Sequence, residues 1–513
     1  MNGGEAARIV AWIRSHAPRQ AHLRIDSREI QRGDVFVALP GRRDDGRRHV
    51  ADAVARGAAA VLLERSGVQA PPCEVPMLPV DDLAARLAEV GAIFYRDPTA
   101  SLLTIGVTGT NGKTSCSHWI AQVLSACGRR CAVIGTVGSG FTDALQPDAA
   151  LTTPDAISVQ RQARAFLDAG AQALAMEVSS IGLDQRRSEA IRFDLALFTN
   201  LTRDHLDYHG SMAEYESAKA RLFEAPSLAG AVLNLDDEFG GRLAGRCRAR
   251  GLHTVGYRIG AAAPAATLDA DLSGASLELA DDHIRFDAQW QRPGAPARRV
   301  PVCAPVIGRF NVSNVLGVMG IALAAGIDVQ DAARAVERLR APPGRLQRIE
   351  VTGRSEPLVL VDYAHTPDAI EQVLAALRPV AQARQGRLWI VFGAGGDRDP
   401  GKRPQMGAAA ARGADRIMVT SDNPRGEDPL RIIEQIVAGT TDAGSRLSCT
   451  ADRADAIESA VLQADGADVI LIAGKGHEQY QEASGRRTAF SDAQCARQAL
   501  ERRAGRQTPG ANA

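Results

Sequence analysis

Short apolar runs bounded by turn residues recur along this chain and alternate with longer stretches of helical periodicity. In the middle of the chain the runs are Leu102–Val107, Ala173–Val178, Leu195–Asn200 and Ala231–Leu235. Further on they are Leu358–Asp362, Leu388–Phe392, Arg416–Thr420 and Val469–Ala473. Runs without polar alternation suit strands covered on both faces, and the helical stretches between them read as crossovers, so a mostly parallel sheet is predicted in each region. A smaller α/β unit comes first, with a strand at Val35–Leu39, a helix at Val50–Gly57 and a strand at Ala58–Glu64. The stretch from about Ala261 to Val302 is rich in Ala, Pro and Asp with weak alternation, which reads as a peripheral β insertion. Asn311–Ala325 reads as a helix, and the tail after Arg503 as disordered.

At 513 residues the chain is too long for one ordinary core. Tyr95-Arg-Asp-Pro98 and Ala341-Pro-Pro-Gly344 read as boundaries, which divides the chain into residues 1–98, 99–340 and 341–513. The expected fold class is α/β in three domains: a small first unit, a central P-loop ATPase built on a parallel sheet, and a Rossmann-like C-terminal unit.

Composition narrows the function. A formal net charge of zero argues against a nucleic-acid or membrane-surface binder driven by bulk charge. No apolar stretch is long enough to span a bilayer, and the first residues lack the pattern of a secretion signal. The eight cysteines are scattered without a CxxC pair. A cytoplasmic enzyme, monomeric and without nucleic-acid or membrane partners, is the expectation. Of the 60 basic residues only four are lysine: Lys113, Lys219, Lys402 and Lys475. Where arginine serves as the generic cation, surviving lysines are candidates for chemistry a guanidinium cannot perform; codon bias and chance are the plainer alternative.

Chemistry-bearing residues lie at the ends of the predicted strands, where ligands of open α/β sheets bind. Thr108-Gly-Thr-Asn-Gly-Lys-Thr114 sits between a strand and a helical run, Ser115–Ala126. Its glycines would let backbone N–H groups turn toward phosphate, with Lys113 reaching the β/γ-phosphates and Thr114 ligating Mg²⁺. Both residues are expected on a solvent-facing loop. Val107 occupies the position of the first glycine of the strict GxxxxGK spacing, and a simple glycine turn is the alternative. Glu177 ends a strand, where a carboxylate has no packing role; it reads as a Mg²⁺ ligand or as a strand-end cap. His205 and His209 lie among carboxylates past another strand, as ligands or as ordinary loop histidines. Lys219 sits on an amphipathic helix, where a solvated face is the alternative. In the last region Gly393–Pro404, Asp422-Asn-Pro-Arg425 and Gly474-Lys-Gly-His-Glu478 each follow a strand, which suggests one shared crevice.

Taken together, TGTNGKT, MEVSS, NLTRDHLDYH, AKARLF, NLDDEFG, GRFNVSN, VDYAHTPDA, GGDRD, DNPR and AGKGHE resemble, in order, the motifs of the Mur ligase family. The resemblance runs from Asp26-Ser-Arg28 to Asp492 and points to the branch that adds diaminopimelate. It implies an N-terminal uridine-nucleotide domain, a central ATPase and a C-terminal amino-acid domain. It implies ATP and Mg²⁺, two ions in number, with UDP-N-acetylmuramoyl-L-alanyl-D-glutamate and meso-2,6-diaminopimelate as substrates of peptidoglycan synthesis. By motif matching, Gly109, Thr110, Asn111, Gly112, Lys113, Thr114, Ser115, Asn311, Arg345 and Asp362 would face ATP. Ile25, Ser27, Arg42, Arg43 and Asp44 would contact the UDP portion. Thr152, Thr153, Ser179, Gln185 and Arg187 would contact the muramoyl-dipeptide. Thr114, Glu177, His205 and Lys219, the last matching the family's carbamoylated lysine, would serve the metal. The pocket for diaminopimelate needs a cation for its second carboxylate and acceptors for its ammonium, which Arg403, Asp422, Asn423, Pro424, Arg425, Gly474 and Glu478 would provide. The sequence departs from the family pattern at Ile181, Arg186, Gln347 and Ala394. Rival readings are a lysine-adding or folylpolyglutamate synthase-like ligase of the same fold and, in a different class, a P-loop regulatory NTPase. The last is disfavoured because no lysine is followed by x-Asp, as a guanine-reading segment requires.

Overall fold

Leu103–Thr108, apolar at nearly every position, lies near the middle of an eleven-stranded sheet, between Ala173–Glu177 and Leu195–Phe198, and is parallel to both. The computed structural model describes residues 3–41, 44–67, 72–146, 151–260, 270–280, 282–350, 356–441 and 443–506. Neighbouring strands run parallel from Cys131–Gly135 across to Ala270–Leu279. Both margins turn antiparallel, through Ile284–Gln291 and Arg298–Ala304 on one side and Gly138–Phe141 and Ala144–Gln146 on the other. The sheet is therefore mixed, where a mostly parallel one was expected. The stretch read as an insertion continues the central sheet through its last strands; residues 261–269 and 281 of it lie outside the described residues.

Two apolar cores flank this sheet, one on each face, which is why its strands read as unbroken apolar runs. The helix Lys113–Ala126 starts immediately beyond the central strand, and Arg309–Ala324 packs beside it.

Before it stands a four-stranded parallel sheet, Leu23–Arg24, Val35–Ala38, Ala60–Glu64 and Met77–Val80, with helices Gly3–His16 and Leu83–Phe94 against it. After it stands a six-stranded sheet in the order Gln347–Ile349, Leu358–Asp362, Val469–Ala473, Leu388–Phe392, Arg416–Val419, Leu447–Cys449. All but the first strand are parallel. Val469–Ala473 is inserted between strands that precede it in the chain, so the loops after four of these strands open on one side. A hairpin, Tyr480–Ala483 with Arg486–Ala489, follows the last of them. The final helix reaches Arg506, three residues past the expected start of a disordered tail; residues 507–513 lie outside the described residues. Among the described residues no helix is long and apolar enough to cross a membrane.

Candidate active site

The loop Gly109–Gly112 turns the chain from the central strand into the helix that opens with Lys113. Gly112 has φ +83°, and a Cβ there would stand 2.5 Å from Asn314 Oδ1, so only glycine fits. The neighbouring strand end holds the loop in place. Asn200 Oδ1 accepts from Asn111 N at 2.9 Å, and Thr199 Oγ1 donates to Asn111 O at 2.6 Å.

Lys113 and Thr114 are not on a solvent-facing loop. They are the first residues of the helix: Lys113 is half-buried and Thr114 buried. Lys113 Nζ folds back to donate to Gly109 O at 2.9 Å and Thr110 O at 2.7 Å. Lys219, 1% exposed, donates to the same Gly109 carbonyl at 2.8 Å and lies 4.3 Å from the Tyr215 ring centre. It is not on a solvated face. Among the described residues neither lysine has an ion-paired carboxylate. Burial lowers both pKa values; the Lys113 charge lowers that of Lys219 further, while the field of Asp204 raises both. Two amines converging on one carbonyl without a counter-ion leave a place where an anion is strongly favoured.

Across from them stands Glu177, fully buried. Its Oε2 accepts from Thr114 Oγ1 at 3.0 Å and Thr136 Oγ1 at 3.1 Å, and its Oε1 from Thr136 N at 2.8 Å. Thr136 also reaches Thr152 Oγ1 at 3.1 Å. His205 is exposed, with φ +53° and Nε2 3.3 Å from Asp204; partial desolvation by the surrounding protein, first among the causes, and the charges of Lys113 and Lys219 lower its pKa against the opposing field of Asp204. His209 is buried, 2.9 Å from Ser180 Oγ. Among the described residues no three His, Cys, Asp or Glu side chains gather into a metal cage.

The residues expected to contact the dipeptide form one patch beside Glu177. Thr153 Oγ1 donates to Glu177 O at 3.0 Å and accepts from Ser179 N at 2.9 Å, so Thr153 is a fully buried strut. Arg187 reaches Thr153 O at 2.8 Å and is hydrogen-bonded to Gln185. In the first unit Ser27 is buried and donates to Asp52 at 3.3 Å, Ile25 is half-buried and Asp44 is exposed beside His49. Arg42 and Arg43 lie outside the described residues.

The last unit reaches the same place. Arg345 Nη2 donates to Thr114 Oγ1 at 3.2 Å, and its guanidinium lies 4.7 Å from the Tyr363 ring centre. The His477 ring lies against the Thr136 backbone. Gly344, at φ +67°, lets the chain pass where any Cβ would collide with the backbone of Gly476 and His477. Asp362 is buried and caps its own turn through Leu346 N and Ala364 N, both at 2.8 Å. Asn311 is occupied with Ile307 O at 2.7 Å and with Asn314, so in this conformation Asn314 and not Asn311 meets the glycine loop.

Beyond Asp362 the three polar loops are hydrogen-bonded to one another. Gly396 N donates to Asn423 O at 2.9 Å, Asn423 Nδ2 to Glu478 at 2.8 Å, and the buried Lys475 to both Asn423 and Glu478 at 3.0 and 2.8 Å. Arg425, φ +51°, donates to Gly396 O at 2.7 Å and has no carboxylate partner among the described residues. Asp422 and Pro424 are buried in this loop, and Asp422 Oδ2 lies against Gly474. Arg403 differs from the expectation of an open cation. It is 1% exposed, gripped by both oxygens of Glu427 at 2.8 Å, and also donates to Gln435 and Gly395 O. It braces the loop from beneath.

Thr136 and Asn314 were not among the expected site residues, and Lys475 was marked only as one of the four surviving lysines, without a stated role. Thr136 follows a strand, as the others do, and Asn314 shares a helix face with Asn311 at i, i+3, so both were findable.

The architecture defines a multi-domain α/β enzyme whose separate units meet at a glycine loop. Models of known families match almost all of it: residues 20–95 match "Mur ligase family, catalytic domain", 107–322 "Mur ligase middle domain" and 344–476 "Mur ligase, glutamate ligase domain". A UDP-N-acetylmuramoyl-L-alanyl-D-glutamate--2,6-diaminopimelate ligase of Ralstonia nicotianae is 50% identical over 505 residues, 97% of this chain and 96% of that one. A protein of the same description from Pseudomonas aeruginosa is 47% identical over 481 residues, 93% of this chain and 94% of that one. A solved structure so described superposes with a TM-score of 0.64 at 36% identity, covering 94% of this chain and 95% of the other. Folylpolyglutamate synthase of Mycobacterium tuberculosis, at 20% identity and a TM-score of 0.58 over 76% of this chain and 92% of that one, shares the fold alone. The chain belongs to the Mur ligase family. It is a ligase, and its fold implies use of a nucleotide and a metal ion.

Proposed function

We propose that this chain joins meso-2,6-diaminopimelate to the D-glutamyl γ-carboxylate of UDP-N-acetylmuramoyl-L-alanyl-D-glutamate at the expense of ATP, a step of peptidoglycan synthesis. The observation that carries the reading is the 3.2 Å contact of Arg345 with Thr114. Through it the unit that holds Arg425, a cation with no carboxylate partner among the described residues, meets the unit that holds the glycine loop, so an amino acid and a transferring phosphate have one meeting place. A regulatory switch needs no such second crevice. Relatives named for this reaction match at up to 50% identity over nearly the whole chain, which favours it over lysine or folate substrates.

In this reading residues 1–98 hold the uridine nucleotide, 99–340 form a P-loop ATPase and 341–513 a Rossmann-like amino-acid domain. The glutamyl carboxylate oxygen attacks the γ-phosphorus, ADP leaves and an acyl phosphate forms. The diaminopimelate amine then attacks the acyl carbon, loses a proton, and phosphate departs. Carboxylate and triphosphate repel each other, so Lys113 is placed to neutralise charge on the transferring group. Thr114, Glu177, His205 and a carbamoylated Lys219 would hold Mg²⁺, which supplies Lewis-acid charge neutralisation when bound. Arg345, His477 and their loops shield the acyl phosphate from water. Phosphate release from ATP should require both the UDP-dipeptide and meso-diaminopimelate. ATP turnover without either acceptor would overturn the reading.

The geometry also supports the carbamate. A buried amine beside a second cation favours its neutral form, which adds CO₂ to give an anionic oxygen donor and one proton. Because acid protonates the amine and expels CO₂, activity should fall as pH drops in CO₂-stripped buffer and return with bicarbonate. Lys219→Ala should lose about a hundredfold or more in turnover, comparable to loss of one electrostatic stabiliser, and regain part of it with short carboxylic acids. A variant that keeps wild-type turnover, or labelled bicarbonate that leaves no signal on Lys219, would refute the modification.

A further inference from the structure

The floor of the amino-acid crevice rests on an ion pair with no exposure at all. Arg453 and Asp492 are both fully buried and open two different helices, Arg453–Gln463 and Asp492–Arg506. Arg453 Nε and Nη2 grip the two Asp492 oxygens at 2.7 Å each. The remaining donors point the other way. Nη1 donates to Ser421 O at 3.2 Å and Nη2 to Ala473 O at 2.9 Å.

Those carbonyls precede Asp422 and Gly474. Their strands, Arg416–Val419 and Val469–Ala473, are not neighbours; Leu388–Phe392 runs between them. No ladder hydrogen bond sets the distance between their ends; the Arg453 fork spans it, alongside the bonds of Asn423 with Lys475 and Glu478 that tie the two loops directly. A Cβ on Gly474 would stand 3.9 Å from Arg453 Nη2 and 2.6 Å from Asp422 Oδ2, so the guanidinium lies directly under both loops.

Stability does not explain the pair. A buried ion pair is usually no better than an apolar pair of equal volume, because both ions lose their hydration. A cation at the first turn of its own helix also opposes the helix dipole. A planar fork with five fixed donors does what an apolar pair cannot: it fixes two carbonyls relative to one carboxylate.

We propose that Arg453, oriented by Asp492, is a positioning residue for the incoming amino acid: it sets the separation of the 422–425 and 474–478 loops and touches no substrate itself. The inference rests on the reading of these loops as the diaminopimelate site. A binding constellation loosened by about 1 Å loses much of its affinity while distant sites keep theirs.

The test is steady-state kinetics on the full chain. The Arg453→Met/Asp492→Val double variant keeps neutrality and comes close to the volume of the pair; Arg453→Lys keeps the charge but not the fork. Thermal melting and circular dichroism verify folding. The double variant should raise KM for meso-diaminopimelate tenfold or more, with KM for ATP and the UDP-dipeptide within twofold and kcat at saturation within threefold. Arg453→Lys should fall between it and wild type. If the double variant does not fold, Arg453→Lys alone is read by the same split. An unchanged KM for the amino acid, or all three KM values rising together, overturns the proposal. The wild-type control separates this from the substrate reading: if wild type prefers another amino acid, that reading fails, and the same split is measured with the preferred one.

Discussion

Lys113→Ala is expected to cost about a thousandfold or more in turnover, several kcal/mol of transition-state stabilisation, while the protein stays folded. Lys113 is half-buried and touches only carbonyl oxygens, those of Gly109 and Thr110. The Gly109 carbonyl keeps Lys219 as a donor after the substitution, so only Thr110 O loses a partner. One lost hydrogen bond of that kind costs about 1 kcal/mol. Removing a charge whose burial already lowers its pKa offsets part of that cost. The melting temperature should therefore move by only a few degrees, whereas the loss in turnover is far larger. A phosphoryl group in transfer gathers charge on its oxygens, and the ammonium is the cation placed at the loop to meet it. Turnover within tenfold of wild type would sink this assignment of Lys113.

The strands that position the site were legible because each is covered on both faces. Leu358–Asp362, Leu388–Phe392 and Val469–Ala473 run to the residues the apolar pattern marks. The small hairpins were not. Gly138–Phe141 pairs in the chain as GSGF and Tyr480–Ala483 as YQEA, neither with the apolar alternation that marks a strand. Within the site, residue types at strand ends were readable, but their partners were not. Nothing in the sequence says that Glu427 lies under Arg403, or that Asn311 turns back to Ile307 while Asn314 meets the loop. The helix beyond Gly112 was expected to start at Ser115 and starts two residues earlier, at Lys113, since a glycine loop and the helix it opens look alike until the first hydrogen bonds are known. Lys219 was expected to serve the metal, with a solvated helix face as the alternative, and its burial against Gly109 O removes that alternative. Helical periodicity does not show that the face of Met212–Ala220 carrying Lys219 lies against the glycine loop at Gly109.

The difference between Arg403 and Arg425 leads to the sharpest expectation about substrate choice. Both were candidates to bind the second carboxylate of meso-diaminopimelate. Arg403 already has its anion in Glu427, in a bidentate grip below the loop. Arg425 donates one bond to the neutral Gly396 carbonyl and has no carboxylate among the described residues. Its backbone sits in the left-handed region at φ +51°, held by Arg425 N to Glu482 O at 2.9 Å, so the residue is fixed on the hairpin. A guanidinium anchored this way keeps donors enough for a two-point grip on a carboxylate. Asn423, Lys475 and Glu478 are linked beside it, and the Glu478 carboxylate is the acceptor nearest that network for the distal ammonium. Lysine lacks the second carboxylate and would leave Arg425 partly desolvated without its anion, which is how the site discriminates. Arg425→Ala should raise KM for meso-diaminopimelate about a hundredfold, roughly 3 kcal/mol, and narrow the preference over lysine. KM for ATP and for the UDP-dipeptide should stay within twofold, because among the described residues the hydrogen bonds of Arg425 stay within its own unit, to Gly396 O, Glu482 O and Ser484 N. Wild-type enzyme that incorporates lysine as readily as meso-diaminopimelate would defeat the specificity argument and leave the ligase assignment standing. An Arg425→Ala variant with unchanged KM would return the role of the carboxylate's partner to Arg403, released from Glu427 when substrate binds.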